Sequence, residues 1–250
     1  MKIATFNANS VRVRLPILLD WLATHEPDVL ALQEIKCEDH VFPVDDFLEI
    51  GYRAEVFGQK SYNGVALLSK VPLNKVTRGY GDDARILCAE VDGIWIVNTY
   101  VPNGTKVGGD KWEYKLAWLD RFRDFVGQGL KAGAPTIWLG DINIAPEPID
   151  VYDSAKVKGG VGHHPDEFSR LAAITEQGLH DVFRKHHPEG GHYTYWDFFI
   201  KNALDRKLGW RIDHIYATED LAARCSSCEI DTQPRRAERP SDHTFVIAEF

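Results

Sequence analysis

The stretch Pro135-Thr136-Ile137-Trp138-Leu139-Gly140-Asp141-Ile142-Asn143-Ile144-Ala145-Pro146 decides how the rest of the chain is read. A run of apolar, strand-forming residues reaches a glycine, then presents a carboxylate and a carboxamide two positions apart. In extended backbone, residues i and i+2 point to the same side, so Asp141 and Asn143 project together while Ile142 and Ile144 pack the other way. An acid beside an amide at the end of a buried strand suits proton handling next to a charged oxygen. The same order also suits a turn in which Asp and Asn bond their own backbone.

Outward from this strand, further strand-like stretches recur at Lys2–Asn7, Val29–Leu32, Arg53–Phe57, Gly64–Ser69, Ile86–Val91, Ile94–Thr99, Arg211–Ala217 and Phe245–Phe250. Apolar residues at helical spacing predict helices over Leu15–Thr24, Tyr114–Leu130 and Asp166–Glu176, the last opened by Pro165 and an acidic first turn. Many strands with few helices predict a four-layered α/β sandwich: two packed mixed β-sheets flanked by helices. No repeat, low-complexity tract or linker divides residues 1–250, so one domain is expected, with the glycine-rich Lys158–Gly162 as an internal loop.

The 44% hydrophobic and 26% charged content is ordinary for a soluble globular protein. No apolar run approaches the roughly 20 residues of a membrane span, and the start reads as a strand with no signal-peptide pattern, so no membrane contact and a cytoplasmic location are expected. Of the four cysteines, Cys225 and Cys228 have the spacing of half a zinc site, but no second pair or nearby His-x-x-x-His completes it; reduced, partly buried thiols are expected. The net charge of −8 argues against nucleic acid as a partner. Its distribution softens that objection: Lys201, Arg206, Lys207 and Arg211 face only Asp205, Arg235, Arg236 and Arg239 face only Glu238, and Arg12 and Arg14 add a pair.

Polar residues cluster where strands end: Asn7 and Asn9, Gln33-Glu34, Tyr100, Asp141 and Asn143, Asp213, and Ser241-Asp242-His243 before the final strand. Carboxylates, amides, a phenol and a histidine with carboxylate partners are the equipment of Mg²⁺-assisted phosphoester hydrolysis.

With these motifs in place, the chain resembles the exonuclease III-type apurinic/apyrimidinic endonucleases of the endonuclease/exonuclease/phosphatase superfamily. The matching stretches are Phe6-Asn7-Ala8-Asn9, the block Pro27–Lys36 containing Gln33-Glu34-Ile35-Lys36, Gly58-Gln59-Lys60, Tyr62–Ser69, Asn98–Gly104, Gly140–Pro146, Gly209-Trp210-Arg211-Ile212-Asp213 and Pro240-Ser241-Asp242-His243. They run in family order over essentially the whole chain. The resemblance implies a Mg²⁺-dependent (Mn²⁺ substituting) DNA-repair phosphodiesterase that cuts 5′ to abasic sites, with 3′→5′ exonuclease and 3′-end-cleaning activity in base excision repair, working as a monomer on double-stranded DNA with abasic sites or blocked 3′ ends.

Carried over residue by residue, it implies that Glu34 is the principal metal carboxylate, assisted by Asn9 and Asp242; some relatives have Asp where this chain has Asn9. His243, oriented by Asp213, would hold the phosphate or act as general base, with Asp141 the competing base. Asn143 and Asn7 would orient the nucleophile and phosphate oxygens, and Tyr100 would donate to phosphate. An aromatic-lined pocket for the flipped-out sugar falls on Tyr195, Trp210 and Ile212, with Trp196 nearby. Arg85, Asn103, Lys106 and Arg211 are expected to contact DNA, and Gly162 would leave room for the abasic sugar. Two alternatives remain: a lipid or inositol-phosphate phosphodiesterase on the same fold, and a non-catalytic DNA-binding protein on a decayed nuclease scaffold. The first should carry an apolar membrane-facing hairpin, which the sequence does not show, and the intact polar set argues against the second.

Overall fold

The computed structural model describes residues 1–81 and 83–250. In chain order the strands are β1 (Lys2–Asn7), β2 (Val29–Gln33), β3 (Arg53–Phe57), β4 (Val65–Ser69), β5 (Asn74–Thr77), β6 (Ile86–Val91), β7 (Ile94–Tyr100), β8 (Thr136–Asp141), β9 (Leu179–Asp181), β10 (Asp213–Thr218), β11 (Ser227–Asp231) and β12 (Phe245–Glu249). The helices are α1 (Val11–His25), α2 (Val44–Glu49), α3 (Asp110–Lys131), α4 (Ser154–Val157), α5 (Pro165–Thr175), α6 (Val182–His186) and α7 (Glu219–Arg224).

The strands form two six-stranded sheets, ordered β11-β12-β1-β2-β4-β3 and β5-β6-β7-β8-β10-β9. Each is built around one parallel pair: β1 and β2 joined through α1, and β7 and β8 joined through α3. A parallel neighbour needs such a crossover, whereas the remaining antiparallel pairs do not. Alternation then divides the side chains: Ile3, Val29, Ala31 and Leu67 face Leu87, Ala89, Ile96, Ile137, Leu139 and Ile215 between the sheets. Ala4, Phe6, Leu30 and Leu32 turn outward onto Leu18, Trp21 and Leu22 of α1 and Phe47 of α2. On the other sheet Cys88, Val97 and Trp138 meet Trp118, Leu119, Phe122 and Val126 of α3 and Leu171 and Ile174 of α5. The result is the expected helix–sheet–sheet–helix order.

One polar bond set crosses the apolar middle. Fully buried Gln33 donates to Asn98 Oδ1 (2.8 Å) and Thr5 Oγ1 (2.9 Å), while Asn98 donates to the carbonyls of Leu32 (3.0 Å) and Ala66 (2.9 Å). Buried amides without partners are costly, so this set fixes one alignment of the two sheets, directly beneath the ends of β2 and β7.

Three strands lie outside the sequence expectation: β5, β9 and β11, every one at a sheet edge. Sequences such as Asn74-Lys75-Val76-Thr77 bury little and lack the apolar signature of central strands. The predicted strand at Arg211–Ala217 starts later, at Asp213. Among the described residues, no helix is long and apolar enough to cross a membrane.

Candidate active site

Sheet register brings the polar strand ends together. Asn7 pairs with Gln33, so Glu34 emerges beside it. Tyr100 pairs with Asp141, and Asp141 with Asp213 on its other side. Because β12 runs antiparallel to β1, the residues just before it, Asp242 and His243, reach the same end. Backbone conformation sharpens these ends. Gly140 has φ +137, and a Cβ there would lie 2.0 Å from the Thr99 carbonyl of the parallel neighbour, so only glycine lets Asp141 sit where it does. Glu34 (φ +47) is held left-handed, a conformation that costs a non-glycine residue energy and is found preferentially at functional sites.

Asp141 is the hub. Asn7 Nδ2 bridges Asp141 Oδ2 (2.8 Å) and Glu34 Oε1 (2.8 Å). Asn143 donates to Asp141 through its backbone (2.9 Å) and its carboxamide (3.1 Å). The backbone bond is the turn anticipated from the sequence, and the same carboxylate also faces the cavity. His243 Nε2 lies 3.8 Å from Asp141 Oδ2, while its Nδ1 donates to Asp213 Oδ2 at 2.8 Å. Burial, reinforced by Asp213 and Glu34 against the pull of His243, pushes the Asp141 carboxyl up to about 8. Burial alone would depress His243, but the Asp213 and Asp141 carboxylates override it and raise the imidazolium to about 10. Burial, then the charges of Glu34 and Asp141, keep the Tyr100 phenol protonated as a donor.

These groups floor a cavity of about 230 Å³ whose wall is Val161, Gly162, Tyr195, Trp210 and Ile212. Single β-bridges pair Tyr195 with both Trp210 and His243, locking the wall to the floor. Gly162 is at φ +83, and a Cβ there would come within 3.2 Å of the Trp210 ring. Asn103 also lines the cavity and donates to Asn143 Oδ1 at 3.1 Å.

Several expected DNA-contact residues stand elsewhere. Arg211 is 1% exposed and donates to Asp150 (2.6 Å) and Asp181 (2.8 Å), so it braces the fold and is removed from the basic track; its charge holds both carboxyls below their usual range despite burial. Trp196 is 3% exposed and packs on Tyr193 and Ala203; it acts through its backbone N–H, which holds the Asp242 carbonyl at 2.9 Å, rather than lining the pocket. Arg85 stacks over the Tyr100 ring (4.7 Å) and donates to its carbonyl (3.1 Å), behind the cavity rather than in it. Lys106 lines no part of the cavity but is exposed in the loop after Tyr100, which leaves the expected phosphate contact open.

Sequence reading also missed residues. Fully buried Lys115 donates to the carbonyls of Asn143 (2.8 Å) and Asn103 (3.2 Å) and pairs with buried Glu167, which accepts from Gly162 N–H at 3.0 Å. This buried pair thus positions three cavity residues at once. A lysine on the amphipathic α3 gave no sign of that role. Phe199 is 98% exposed in the excursion between the paired Tyr195 and Trp210, and no sequence pattern marks it.

The donor set fits a hard divalent cation. Glu34 supplies a carboxylate oxygen within 4.8 Å of ligand atoms of Asp141 and His243, and Asn9 and Asp242 add two further oxygen donors. A cation is already gathered there: Lys36 Nζ lies 2.8 Å from Glu34 Oε2 and 2.5 Å from Asn9 Oδ1, and Asn9 in turn donates to Asp242 Oδ1 at 2.9 Å. Few protein oxygens suffice for an ion that keeps several waters.

A carboxylate-rich cluster at the shared strand ends of a two-sheet sandwich defines a phosphoester hydrolase. Comparison makes this specific: the chain belongs to the Endonuclease/Exonuclease/phosphatase family, whose model matches residues 4–243. It is 31% identical to exodeoxyribonuclease III of Haemophilus influenzae, with 100% of both chains covered. Among solved structures, an AP endonuclease from Archaeoglobus fulgidus superposes with TM-score 0.97 at 44% identity, covering 100% of this chain and 99% of that one. The 3′ phosphatase NExo from Neisseria, bound to a product DNA hairpin, superposes with TM-score 0.97 at 36% identity, with the same coverage.

Proposed function

We propose that this chain is a Mg²⁺-dependent DNA-repair phosphodiesterase that cleaves the backbone 5′ to abasic sites and also trims 3′ ends as an exonuclease and end-cleaning hydrolase. It acts as a single domain over residues 1–250, as a cytoplasmic monomer. The reading rests on one observation: a single cavity, smaller than the roughly 300 Å³ of ordinary ligand pockets, joins an acidic floor to an apolar wall. That combination suits a phosphate beside a sugar that carries no base. The name of the Archaeoglobus neighbour supports the abasic substrate, and that of the Neisseria neighbour the 3′-end activity.

Hydrolysis adds water across the P–O3′ bond, leaving a 3′ hydroxyl and a 5′ phosphate on the abasic sugar. Asp141, poised near neutrality, accepts the proton of the attacking water, which Asn143 and Asn7 orient. His243, held cationic by Asp213, and the Tyr100 phenol donate to phosphate oxygens, where charge develops. Glu34, Asn9 and Asp242 would hold the divalent cation, which neutralises the scissile phosphate and the leaving oxygen when bound. Tyr195, Trp210 and Ile212 receive the sugar, and Gly162 keeps its path open. Lys201, Arg206 and Lys207, all exposed, supply phosphate contacts, and Phe199 offers a face for a base to stack on.

The test is incubation with a duplex carrying one abasic analogue, and with recessed and 3′-phosphate ends, with Mg²⁺ and with chelator. Incision 5′ to the analogue that chelator abolishes is expected. No cut in any substrate with any divalent ion would end the proposal.

A further inference from the structure

After α6 the chain reads His187-Pro188-Glu189-Gly190-Gly191-His192, and none of these residues lines the catalytic cavity. His192 Nε2 lies 2.9 Å from Glu189 Oε1 and His187 Nδ1 lies 3.7 Å from the same oxygen; ligand atoms of all three residues fall within 4.8 Å of one another. A four-coordinate ion with bonds of about 2.0–2.2 Å separates its ligands by roughly 3.3 Å, and the two measured edges bracket that spacing. The third edge, between the two imidazoles, lies within 4.8 Å.

His192 is hydrogen-bonded to Glu189, whereas His187 Nδ1 makes no hydrogen bond among the described residues and has the Glu189 carboxylate 3.7 Å away. His187 Nε2 faces the Cys228 carbonyl of β11 at 2.9 Å and Glu229 Oε1 at 3.3 Å. Both are acceptors, so Nε2 serves as the donor and Nδ1 is the nitrogen that faces the cluster. A metal ion or a proton between Nδ1 and the Glu189 carboxylate satisfies both groups, and Zn²⁺ titration distinguishes the two. A ligating imidazole whose other nitrogen donates to a backbone carbonyl is the usual outer arrangement of a metal site.

The ligands are also held in place. Phe183 stacks on the His187 ring (4.6 Å) and meets the His192 ring edge-on (5.6 Å). Arg184 donates to the carbonyls of His187 (3.0 Å) and Glu189 (2.7 Å) while pairing with buried Asp150, and Gly191 (φ +90) turns the loop back. Two imidazoles and one carboxylate select a borderline transition metal over Mg²⁺, which prefers oxygen.

We propose that His187, Glu189 and His192 form a second metal site, for Zn²⁺, that clamps the loop leading to the pocket residue Tyr195. The inference is independent of the catalytic assignment, since its readout is binding.

The experiment titrates untagged, chelator-stripped full-length protein with Zn²⁺ by calorimetry in excess Mg²⁺, and records the visible absorption of the Co²⁺ form. One saturable equivalent is expected, with a low-coordinate Co²⁺ spectrum. Affinity should fall at least about 100-fold in His187→Ala and His192→Ala, and also in the exposed Glu189→Gln, which removes charge without disturbing packing. All three variants should still cut the abasic duplex with Mg²⁺, reporting an intact fold, and Glu34→Gln should retain Zn²⁺. Absence of saturable Zn²⁺ binding, displacement by Mg²⁺, or wild-type affinity in the His187→Ala/His192→Ala double variant would overturn the proposal.

Discussion

Glu34, Asp141 and His243 converge from three separate strand ends and are largely buried, whereas His187, Glu189 and His192 share one short, partly exposed loop. Both clusters combine carboxylate with imidazole, yet their surroundings set opposite chemistry. In the first, desolvation and mutual repulsion lift Asp141 toward neutrality, and Asp213 keeps the imidazole charged, so its nitrogen serves as donor rather than ligand. In the second, the Cys228 carbonyl engages Nε2 of His187, and Nδ1 is left facing the Glu189 carboxylate. Under the two proposals, what the other face of each imidazole touches would decide whether it clamps a phosphate or binds a metal.

The sharpest way to break this comparison is Asp141→Asn, which should reduce single-turnover incision of an abasic duplex about 10³-fold, with Zn²⁺ affinity unchanged. A variant at full rate would remove Asp141 as the base. His243→Asn should cost about 10²-fold, mainly in the chemical step. The same pair predicts the pH profile. The base form of Asp141 is lost as pH falls through about 8, and the His243 cation is lost as pH rises through about 10, so activity should peak between them. A bound divalent cation moves both limbs down, and Asp141→Asn should erase the acidic one. A rate flat from acid to alkaline pH would contradict both roles.

Gly162→His should lower abasic incision by about 10-fold or more while sparing 3′-end trimming, because its Cβ would crowd Trp210 in the sugar pocket at a φ that disfavours side chains. Equal loss of both activities, measured side by side, would point to general disruption instead. The smallest effect belongs to the loop cluster. Zn²⁺ at about 100 times its dissociation constant should raise the melting temperature by roughly 5–10 °C without changing the incision rate, as seen by scanning calorimetry with and without a zinc-selective chelator.

How much was legible in the sequence follows the same division. The central strands announced themselves because both faces are buried, as in Thr136-Ile137-Trp138-Leu139, and the residues at their ends carried the expected motif order. Three of the four edge strands, β5, β9 and β11, did not, since an edge buries less and carries a weaker apolar pattern, whereas the fourth, β3, was legible at Arg53–Phe57. Arg211 looked like a DNA contact because a basic residue beside Trp210 reads as surface. Only the fold reveals Asp150 and Asp181 waiting to pair with it. His187, Glu189 and His192 are close in the sequence, but only the fold brings their side chains together; the Cys225 and Cys228 thiols are buried.

By itself, then, the sequence determined the sandwich, the identity of the groups at its strand ends and the family to which they belong, because strand periodicity and motif order are local properties. Tertiary structure alone decided which charged groups face solvent and which face each other. Asp141 as a near-neutral acid, His243 as a cation, Lys115 as the brace beneath Asn143 and Arg211 as an internal tie all depend on distance and desolvation between residues far apart in the chain, and no spacing along the sequence encodes those.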